Sequence, residues 1–244
     1  MQLTQPHCLL IPWKLSPQLS LSLSLMLPIY SVLKDMVRPR GRQRMFKHII
    51  EYTSLIASLV VIVHYYFYTD RQLKTVFLFF SGALFLGTIS EAAAIISTGS
   101  YHYPGFRWYI GPVPLFIAFG WCSSFYMIYH ISRQLTFHLQ DHKHFFWIVA
   151  AGGGFVGLFM DLFFDPVAIS MNWWEWKNGG PYFNVPTANF SGWFVFAAGF
   201  CATYNLALSK DWSYGKKVIG FYGMLVGVFI VTALCSFPFL MLDS

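Results

Sequence analysis

Long apolar stretches, separated by shorter polar ones, fill most of this chain. A helix needs about 20 consecutive apolar residues to cross a hydrocarbon core of roughly 30 Å, and the stretches have that length. The pattern predicts an all-α polytopic bundle of about six membrane-spanning helices, or seven if an N-terminal segment also inserts. The predicted spans lie near residues 50–68, 74–97, 112–132, 145–168, 189–208 and 217–240.

The N-terminal segment, residues 1–45, does not follow this pattern. Prolines interrupt it, Ser and Leu alternate over residues 20–25, and basic residues cluster near its end. The membrane-embedded domain is expected to cover residues 46–244. We expect residues 1–45 to be a signal-like segment, a segment at the membrane interface, or translated sequence upstream of the true start. Met36 and Met45 are alternative starts. We assign this segment no function.

The loops after the second and fourth predicted spans are longer than the others and rich in Gly, Pro, Trp and Tyr. Because these two spans cross the membrane in the same direction, their C-terminal ends must share one face. The absolute orientation is left open. Basic residues before the first span favour a cytoplasmic N-terminus, but Lys210, Lys216 and Lys217 would then lie outside.

A short motif occurs twice in the chain. Pro114 to Trp121 and Pro186 to Trp193 both have the pattern Pro-x5-Gly-Trp, with Val immediately before the Pro. Each copy follows an aromatic loop, and each loop follows a span with acids near its end. The matching order predicts a duplicated helix-loop-helix unit, and functional sites of membrane proteins often lie where such repeats meet.

The composition excludes a soluble protein. Of 244 residues, 56% are hydrophobic and 11% are charged, whereas soluble domains carry roughly 25% charged residues. Much of the net charge of +6 lies between Lys34 and Lys47, which fits a segment facing lipid headgroups better than a nucleic-acid surface. We therefore expect membrane lipids and no nucleic acid as partners. The four cysteines form no Cys-x-x-Cys pair, so neither a disulfide framework nor a thiolate metal site is expected.

Three acidic residues lie near the C-terminal ends of predicted spans. Glu91 falls late in the second span, and Asp161 and Asp165 fall late in the fourth. A charged group at mid-bilayer costs about 2.5–3.5 kcal/mol, which implies specific partners or a specific use. Asp161 and Asp165 share one helix face and can form a coupled pair. Because Pro166 disfavours helical geometry at the preceding residue, we expect the helix to end at Asp165, with Asp161 one turn deeper.

Aromatic residues crowd the two loops beside these acids. Trp and Tyr collect at membrane interfaces in general, but this does not explain their concentration on one face. Aromatic rings also stabilise a cation in a dry pocket, by about 2 kcal/mol. An alternative is that the acids cap loop amides or pair with Arg107 and Lys177. We favour a functional site.

The histidines His138, His142 and His144 form an H-x3-H-x-H pattern after the third span. Membrane di-iron oxygenases use H-x3-H boxes, but several must converge on one face. The other histidines are scattered, and this loop lies on the face opposite the acids. We therefore expect a solvated loop and no metal.

Two blocks of sequence carry a family resemblance. The first contains Glu91, Thr98-Gly99, Tyr101-x-Tyr103, Gly111-Pro112-Val113-Pro114-Leu115 and Trp121. The second contains Asp161-x3-Asp165-Pro166-Val167-Ala168, Trp173-x2-Trp176, Gly180-x-Tyr182, Val185-Pro186 and Asn189-Phe190-x-Gly192-Trp193. Over roughly residues 50–240 the chain resembles the carotenoid biosynthesis protein family, which includes membrane hydratases acting on gamma-carotene and on bisanhydrobacterioruberin.

The resemblance implies an integral, multi-pass membrane enzyme, in the cytoplasmic membrane if prokaryotic. It implies addition of water across the terminal double bond of a linear (psi) carotenoid end, with a lipophilic carotenoid and water as substrates and no redox cofactor. Our hypothesis assigns Asp161 as general acid and Asp165 or Glu91 as the base that orients water. The expected substrate-binding residues are Trp173, Trp176, Tyr182, Asn189, Trp193, Tyr101, Tyr103 and Trp121.

The alternative function is that of a membrane transporter or lipid-binding protein, in which buried carboxylates couple to protons or cations. A transporter needs a path that opens to both faces in turn. The polar groups inside the predicted spans cluster toward one face, which favours the enzyme. The sequence leaves open which carotenoid is used, whether one or both ends react, and the oligomeric state.

Overall fold

The computed structural model describes residues 40–69 and 71–242. Within them, six long helices form the predicted all-α bundle, and each is long and apolar enough to cross a membrane. The protein is therefore a multi-pass membrane protein. The helices are α1 Arg40–Tyr68, α2 Leu73–Thr98, α3 Leu115–Leu135, α4 Phe145–Ser170, α5 Thr187–Ser209 and α6 Tyr214–Leu242. The part of the N-terminal segment that could add a seventh span lies outside the described residues.

The outer surfaces of the helices are apolar. Ile56 and Val63 on α1, Phe155 on α4, and Ile219 and Leu234 on α6 are all exposed. Scattered over every side of a soluble protein, such side chains would form large apolar patches. Around a bundle of spanning helices they face lipid instead.

Helix α5 packs along α4 on one side and along α6 on the other. Glycines on α4 allow the first of these contacts: a Cβ at Gly157 would lie 2.5 Å from Cβ of Ala197, and one at Gly153 would lie 2.5 Å from Sγ of Cys201. Small residues at a helix interface let the backbones approach closely. Asp161 continues the same face of α4 one turn further, so the close approach brings it against α5.

The helix α4 continues through Pro166 and ends at Ser170, so the expectation that it ends at Asp165 is wrong. Pro166 has no N–H, which leaves the Leu162 carbonyl without its usual helical donor. The Tyr182 hydroxyl donates to that carbonyl at 3.2 Å and replaces the missing bond. As a result, Asp165 does not lie at an exposed rim but is only 3% accessible.

The two long loops meet at one face of the bundle, as predicted. Four short strands lie in them: β1 Tyr101–His102, β2 Tyr109–Ile110, β3 Val113–Pro114 and β4 Glu175–Trp176. Strand β1 of the first loop pairs antiparallel with β4 of the second, with Tyr101 opposite Trp176. The Lys177 N–H also donates to the Ser100 carbonyl at 2.7 Å. The loops therefore form one cap over the ends of α2 and α4.

The two copies of the repeated motif start their helices in the same way. Pro114 and Pro186 are the N-cap residues of α3 and α5, with φ/ψ of −63°/143° and −66°/146°. Strands β2 and β3 form a tight turn before Pro114, and an antiparallel bridge from Tyr182 to Val185 stands in the same place before Pro186. This turn also explains why α3 begins at Leu115, later than the predicted span.

A layer of aromatic side chains crosses the middle of the bundle. Phe79, Phe125 and Phe200 are fully buried, and the rings of Phe125 and Phe200 stack with centroids 4.1 Å apart. We call these three residues the aromatic layer. The predicted acids lie on the side of this layer that faces the loop cap.

Polar groups also occur on the other side of the aromatic layer, so the expectation that they cluster toward one face is wrong. The hydroxyls of Tyr65 and Tyr204 are 2.7 Å apart, and the Tyr129 hydroxyl donates to Oδ1 of Asn205 at 2.9 Å. Hydropathy alone did not show this because tyrosines score as nearly apolar. The aromatic layer separates this second polar cluster from the acids.

Candidate active site

Glu91 on α2 is held by three hydrogen-bond donors. The hydroxyls of Tyr101 and Tyr103 donate to Oε2 at 2.5 and 2.8 Å, and the indole Nε1 of Trp121 donates to Oε1 at 3.2 Å. Gly99 ends α2 in the left-handed conformation and turns the chain back. Residues two apart in an extended chain point the same way, so both tyrosines reach the carboxylate. The three donors fix the orientation of the carboxylate.

The two tyrosines are strong, permanent donors. Burial raises the pKa of Tyr101 and of Tyr103 well above the ordinary value, and the neighbouring Glu91 raises both further. Each phenol therefore keeps its proton over the physiological pH range and continues to donate to Glu91.

Asp161 and Asp165 form an acid pair on one face of α4. Nδ2 of Asn189 on α5 donates to Oδ2 of each aspartate, at 2.8 Å in both cases. Both side chains are buried, and Oδ1 of Asp161 has no hydrogen-bond partner within the described part of the chain. Two negative charges side by side in such a dry, apolar place are unfavourable when no cation is near, so the acid pair holds a proton in the resting protein.

The alternative pairing with loop cations does not occur. Among residues 40–69 and 71–242, none of Glu91, Asp161 and Asp165 forms an ion pair. The backbone N–H of Arg107 donates instead to Glu51, and the side chains of the acid pair have Asn189 as their amide partner. Within the part of the chain that the structure describes, these three acids are thus left without a compensating positive charge.

A cavity of about 110 Å³ lies between Glu91 and Asp165, and we call it the carboxylate cavity. Asn189 also lines it, whereas Asp161 lies behind Asp165 and outside the wall. Trp173 and Tyr182, both expected to bind substrate, do not line it either. The other expected residues that do are Tyr101, Tyr103, Trp121, Trp176 and Trp193.

Part of the cavity wall was not expected from the sequence. Helix α1 contributes Ile50 and Ser54, although no residue of the first span had been singled out. Phe116 follows directly after the capping Pro114 and Leu115, a position that the repeated motif could have indicated. The remaining unexpected wall residues are Ile117, Gly120, Ser124, Phe164 and Trp174.

Glu51 is a further buried acid that was not singled out. Its side chain is 2% exposed. It accepts a hydrogen bond from the backbone N–H of Arg107 at 2.7 Å, and it forms a second hydrogen bond with Nδ1 of His48 at 3.1 Å. Lys47, one turn earlier, donates to the Pro104 carbonyl. These bonds tie α1 to the loop cap. Glu51 lies inside the first predicted span, so the cost of burying a charge could have drawn attention to it.

Aromatic faces surround the carboxylate cavity. The ring centroids of Trp121 and Trp193 are 4.6 Å apart, and those of Tyr101 and Trp176 are also 4.6 Å apart. Trp174 closes one side against Tyr103, with centroids 5.9 Å apart. An apolar cavity with aromatic faces, a proton-bearing acid pair and a fixed carboxylate can protonate a bound molecule and stabilise the resulting positive charge.

Within the described residues no group of three or more His, Cys, Asp or Glu side chains is placed to hold a metal ion. The rings of His142 and His144 lie 5.5 Å apart. They belong to the connection between α3 and α4, on the face opposite the loop cap.

The fold and site define a membrane-embedded protein with buried acids, suited to a substrate that dissolves in lipid. The model of the carotenoid biosynthesis protein family matches residues 51–241. The chain belongs to that family, and its role is in carotenoid biosynthesis. Neither a curated protein nor a solved structure matches it.

Proposed function

We propose that the protein adds water to the terminal carbon–carbon double bond of a linear (psi) carotenoid end group. The observation that carries the proposal is the acid pair, which shares one Asn189 amide and opens through Asp165 onto an aromatic cavity. Membership in the carotenoid biosynthesis protein family supports the substrate class.

The first step is protonation of the alkene. The terminal double bond joins a dimethyl-substituted carbon to a CH carbon. Asp165, which lines the carboxylate cavity, delivers a proton to the CH carbon, and the π electrons form the new C–H bond. A tertiary cation remains on the dimethyl carbon. Asp161 shares the proton with Asp165 from behind, so the acid pair acts as one unit and not as the single general acid Asp161.

The tertiary cation is stabilised by its surroundings. The indole rings of Trp121 and Trp193 line the cavity, and cation–π contacts in a dry site contribute about 2 kcal/mol each. The newly formed negative charge on the acid pair remains nearby and adds an electrostatic contribution. The aromatic wall also excludes most water, which prevents early capture of the cation from the wrong side.

The second step is addition of water. A water oxygen attacks the cation and forms the C–O bond, while the Glu91 carboxylate accepts the proton that the water loses. The product is a tertiary alcohol. In the overall reaction an alkene and water give this alcohol, and no oxidant or reductant is consumed. Return of the proton from Glu91 to the acid pair resets the site. Tyr101 and Tyr103 hold Glu91 in place for this step.

The aromatic layer favours this function over transport. Phe79, Phe125 and Phe200 are fully buried between the acids and the second polar cluster. A proton or cation would have to pass this layer to cross the bundle.

The proposal is tested by expressing the chain in a bacterium that accumulates gamma-carotene, which has one psi end. Pigments are then analysed by mass spectrometry. We expect a product heavier by one water. Unchanged pigment, from cells in which the protein is found intact in the membrane fraction, would contradict the proposal.

A further inference from the structure

We propose that a groove between α2, α5 and α6 binds the hydrocarbon chain of the carotenoid and admits it sideways from the lipid. The location of the groove follows from the structure, and the identity of its ligand rests on the function proposed above.

The groove, which we call the lateral groove, has a volume of about 340 Å³ and lies directly beside the carboxylate cavity. The lateral groove and the carboxylate cavity share part of their walls. The inner end of the groove therefore lies next to the carboxylate cavity. The shared wall residues are Glu91, Tyr101, Trp121, Trp176, Asn189 and Trp193. A chain lying in the groove therefore points its end at Glu91.

The lateral groove exists because α2 and α6 touch in only one half of the membrane. Away from the loop cap they are in close contact: a Cβ at Gly82 would lie 2.3 Å from the ring of Phe221, and the rings of Phe85 and Tyr222 are 4.9 Å apart. Toward the cap, small side chains on α2 face α6 and leave a slot between the two helices. Small residues of α2 and α6 that line it include Ser90, Ala93, Ala94, Ser97, Ala233 and Ser236.

The mouth of the lateral groove faces the surroundings of the bundle. Ser97 and Phe237 line the groove and are exposed, and their neighbour Ile96 is 75% exposed. In a spanning bundle these positions contact lipid. A polyene dissolved in the bilayer can therefore slide in without passing through water, which is the route that its low solubility requires.

The lining suits a flat hydrocarbon chain that carries few polar groups. Phe196, Phe229 and Phe237 supply apolar faces along the slot. Three polar atoms of residues that line the groove are buried without a hydrogen-bond partner within the described residues: Oγ of Ser90, Oγ1 of Thr232 and the indole Nε1 of Trp176. Of these three residues, Trp176 lies on the wall shared with the carboxylate cavity. At that point it can donate to the attacking water or to the hydroxyl of the product.

The size of the lateral groove limits how much of the substrate it holds. Pockets that bury a drug-sized ligand have about 300–1,000 Å³, and this groove lies at the small end of that range. It holds one end of a full-length carotenoid and the adjoining part of the chain, while the remainder stays in the lipid. Each binding event therefore processes one end. With lycopene, which has two psi ends, the singly hydrated product should accumulate before the doubly hydrated one.

The inference is tested by protection of an engineered cysteine, which does not depend on catalysis. Ser97→Cys is made in a background in which the exposed Cys235 and Cys8 are replaced by Ser. Labelling by a lipid-soluble maleimide is then measured in vesicles with and without lycopene. At lycopene concentrations about tenfold above its dissociation constant, labelling should slow by about tenfold. Ile96→Cys, at the adjacent exposed position outside the groove, is the matched control and should not be protected.

A second arm measures activity. Ala94→Phe fills the lateral groove and should lower the hydration of gamma-carotene by roughly tenfold or more at an equal amount of protein, whereas Ile96→Phe should leave it unchanged. Protection of Ser97→Cys by lycopene without any hydration by the native sequence would uphold the groove and overturn the proposed function. Hydration by the native sequence, with equal labelling of Ser97→Cys in the presence and absence of lycopene, would overturn the groove.

Discussion

The ring centroids of Trp121 and Trp193 lie 4.6 Å apart, and the planes of the two rings meet at an angle of 32°. Each is the last residue of the repeated Pro-x5-Gly-Trp motif, seven residues after the proline that caps its helix. This ring contact therefore joins the two copies of the motif at equivalent positions. Trp121 also donates to Glu91, so the contact between the repeats is itself a wall of the carboxylate cavity.

The acid pair should be required for hydration. Asp165→Asn removes the proton donor that faces the cavity, and we expect the yield of hydrated gamma-carotene to fall by about a hundredfold or more, as is typical for loss of a general acid. Asp161→Asn should also lower it, because the pair then loses its shared proton. Mass spectrometry of the pigments measures both. Asp211→Asn, at an exposed acid in the loop between α5 and α6, is the control and should behave as the native sequence. Full activity of Asp165→Asn would show that the proton comes from elsewhere.

Asn189 should stabilise the fold as well as the site. Asn189→Leu keeps a similar volume but leaves two buried carboxyl groups without their common donor, at a cost of about 1–3 kcal/mol. Thermal unfolding of the purified protein in detergent measures this as a lower midpoint temperature. An unchanged midpoint together with unchanged hydration would mean that the amide does not hold the acid pair.

Tyr182 and Pro166 should be energetically coupled through the Leu162 carbonyl. Tyr182→Phe removes the hydroxyl that donates to that carbonyl and should destabilise the protein by about 0.5–1.5 kcal/mol. In a Pro166→Ala background the restored N–H can take over this role, so the same change should cost much less. A double-mutant cycle of unfolding midpoints measures the difference. An equal cost in both backgrounds would argue against the compensation.

Alkaline pH should weaken the loop cap. Because burial raises the folded-state pKa of Tyr101 and Tyr103, their contribution to stability is complete below the unfolded pKa of about 10 and is lost as pH rises from there toward the folded pKa. The unfolding midpoint should therefore fall as pH rises above about 10. In the double variant Tyr101→Phe with Tyr103→Phe the fall should be shallower. Identical pH profiles for the two proteins would contradict the assignment.

The bundle and its topology could be predicted because spanning helices need only length and apolar composition, and both are local properties of the chain. The buried acids and the repeated Pro-x5-Gly-Trp motif could be predicted for the same reason. The contribution of α1 could not, since Glu51 meets Arg107 through contacts between residues far apart in sequence. The path of α4 through Pro166 also depended on a distant partner, Tyr182, and the local preference before proline gave the wrong answer.

The lateral groove was equally hidden from the sequence. Ala93 and Ala94 score as ordinary residues of an apolar helix, and only the packing of Gly82 against Phe221 in the other half of the bundle shows that they border an open slot. Patterns along one helix do not reveal where two helices separate.

The most direct test of hydration by the acid pair is the source of the product oxygen. The purified protein is placed in lipid vesicles with gamma-carotene, in water enriched in heavy oxygen, under strict exclusion of dioxygen and without added cofactor. The account predicts a hydroxylated carotenoid that carries the heavy oxygen, formed by the native sequence and not by Asp165→Asn. A product whose oxygen is unlabelled, or one that forms only when dioxygen is supplied, would contradict it.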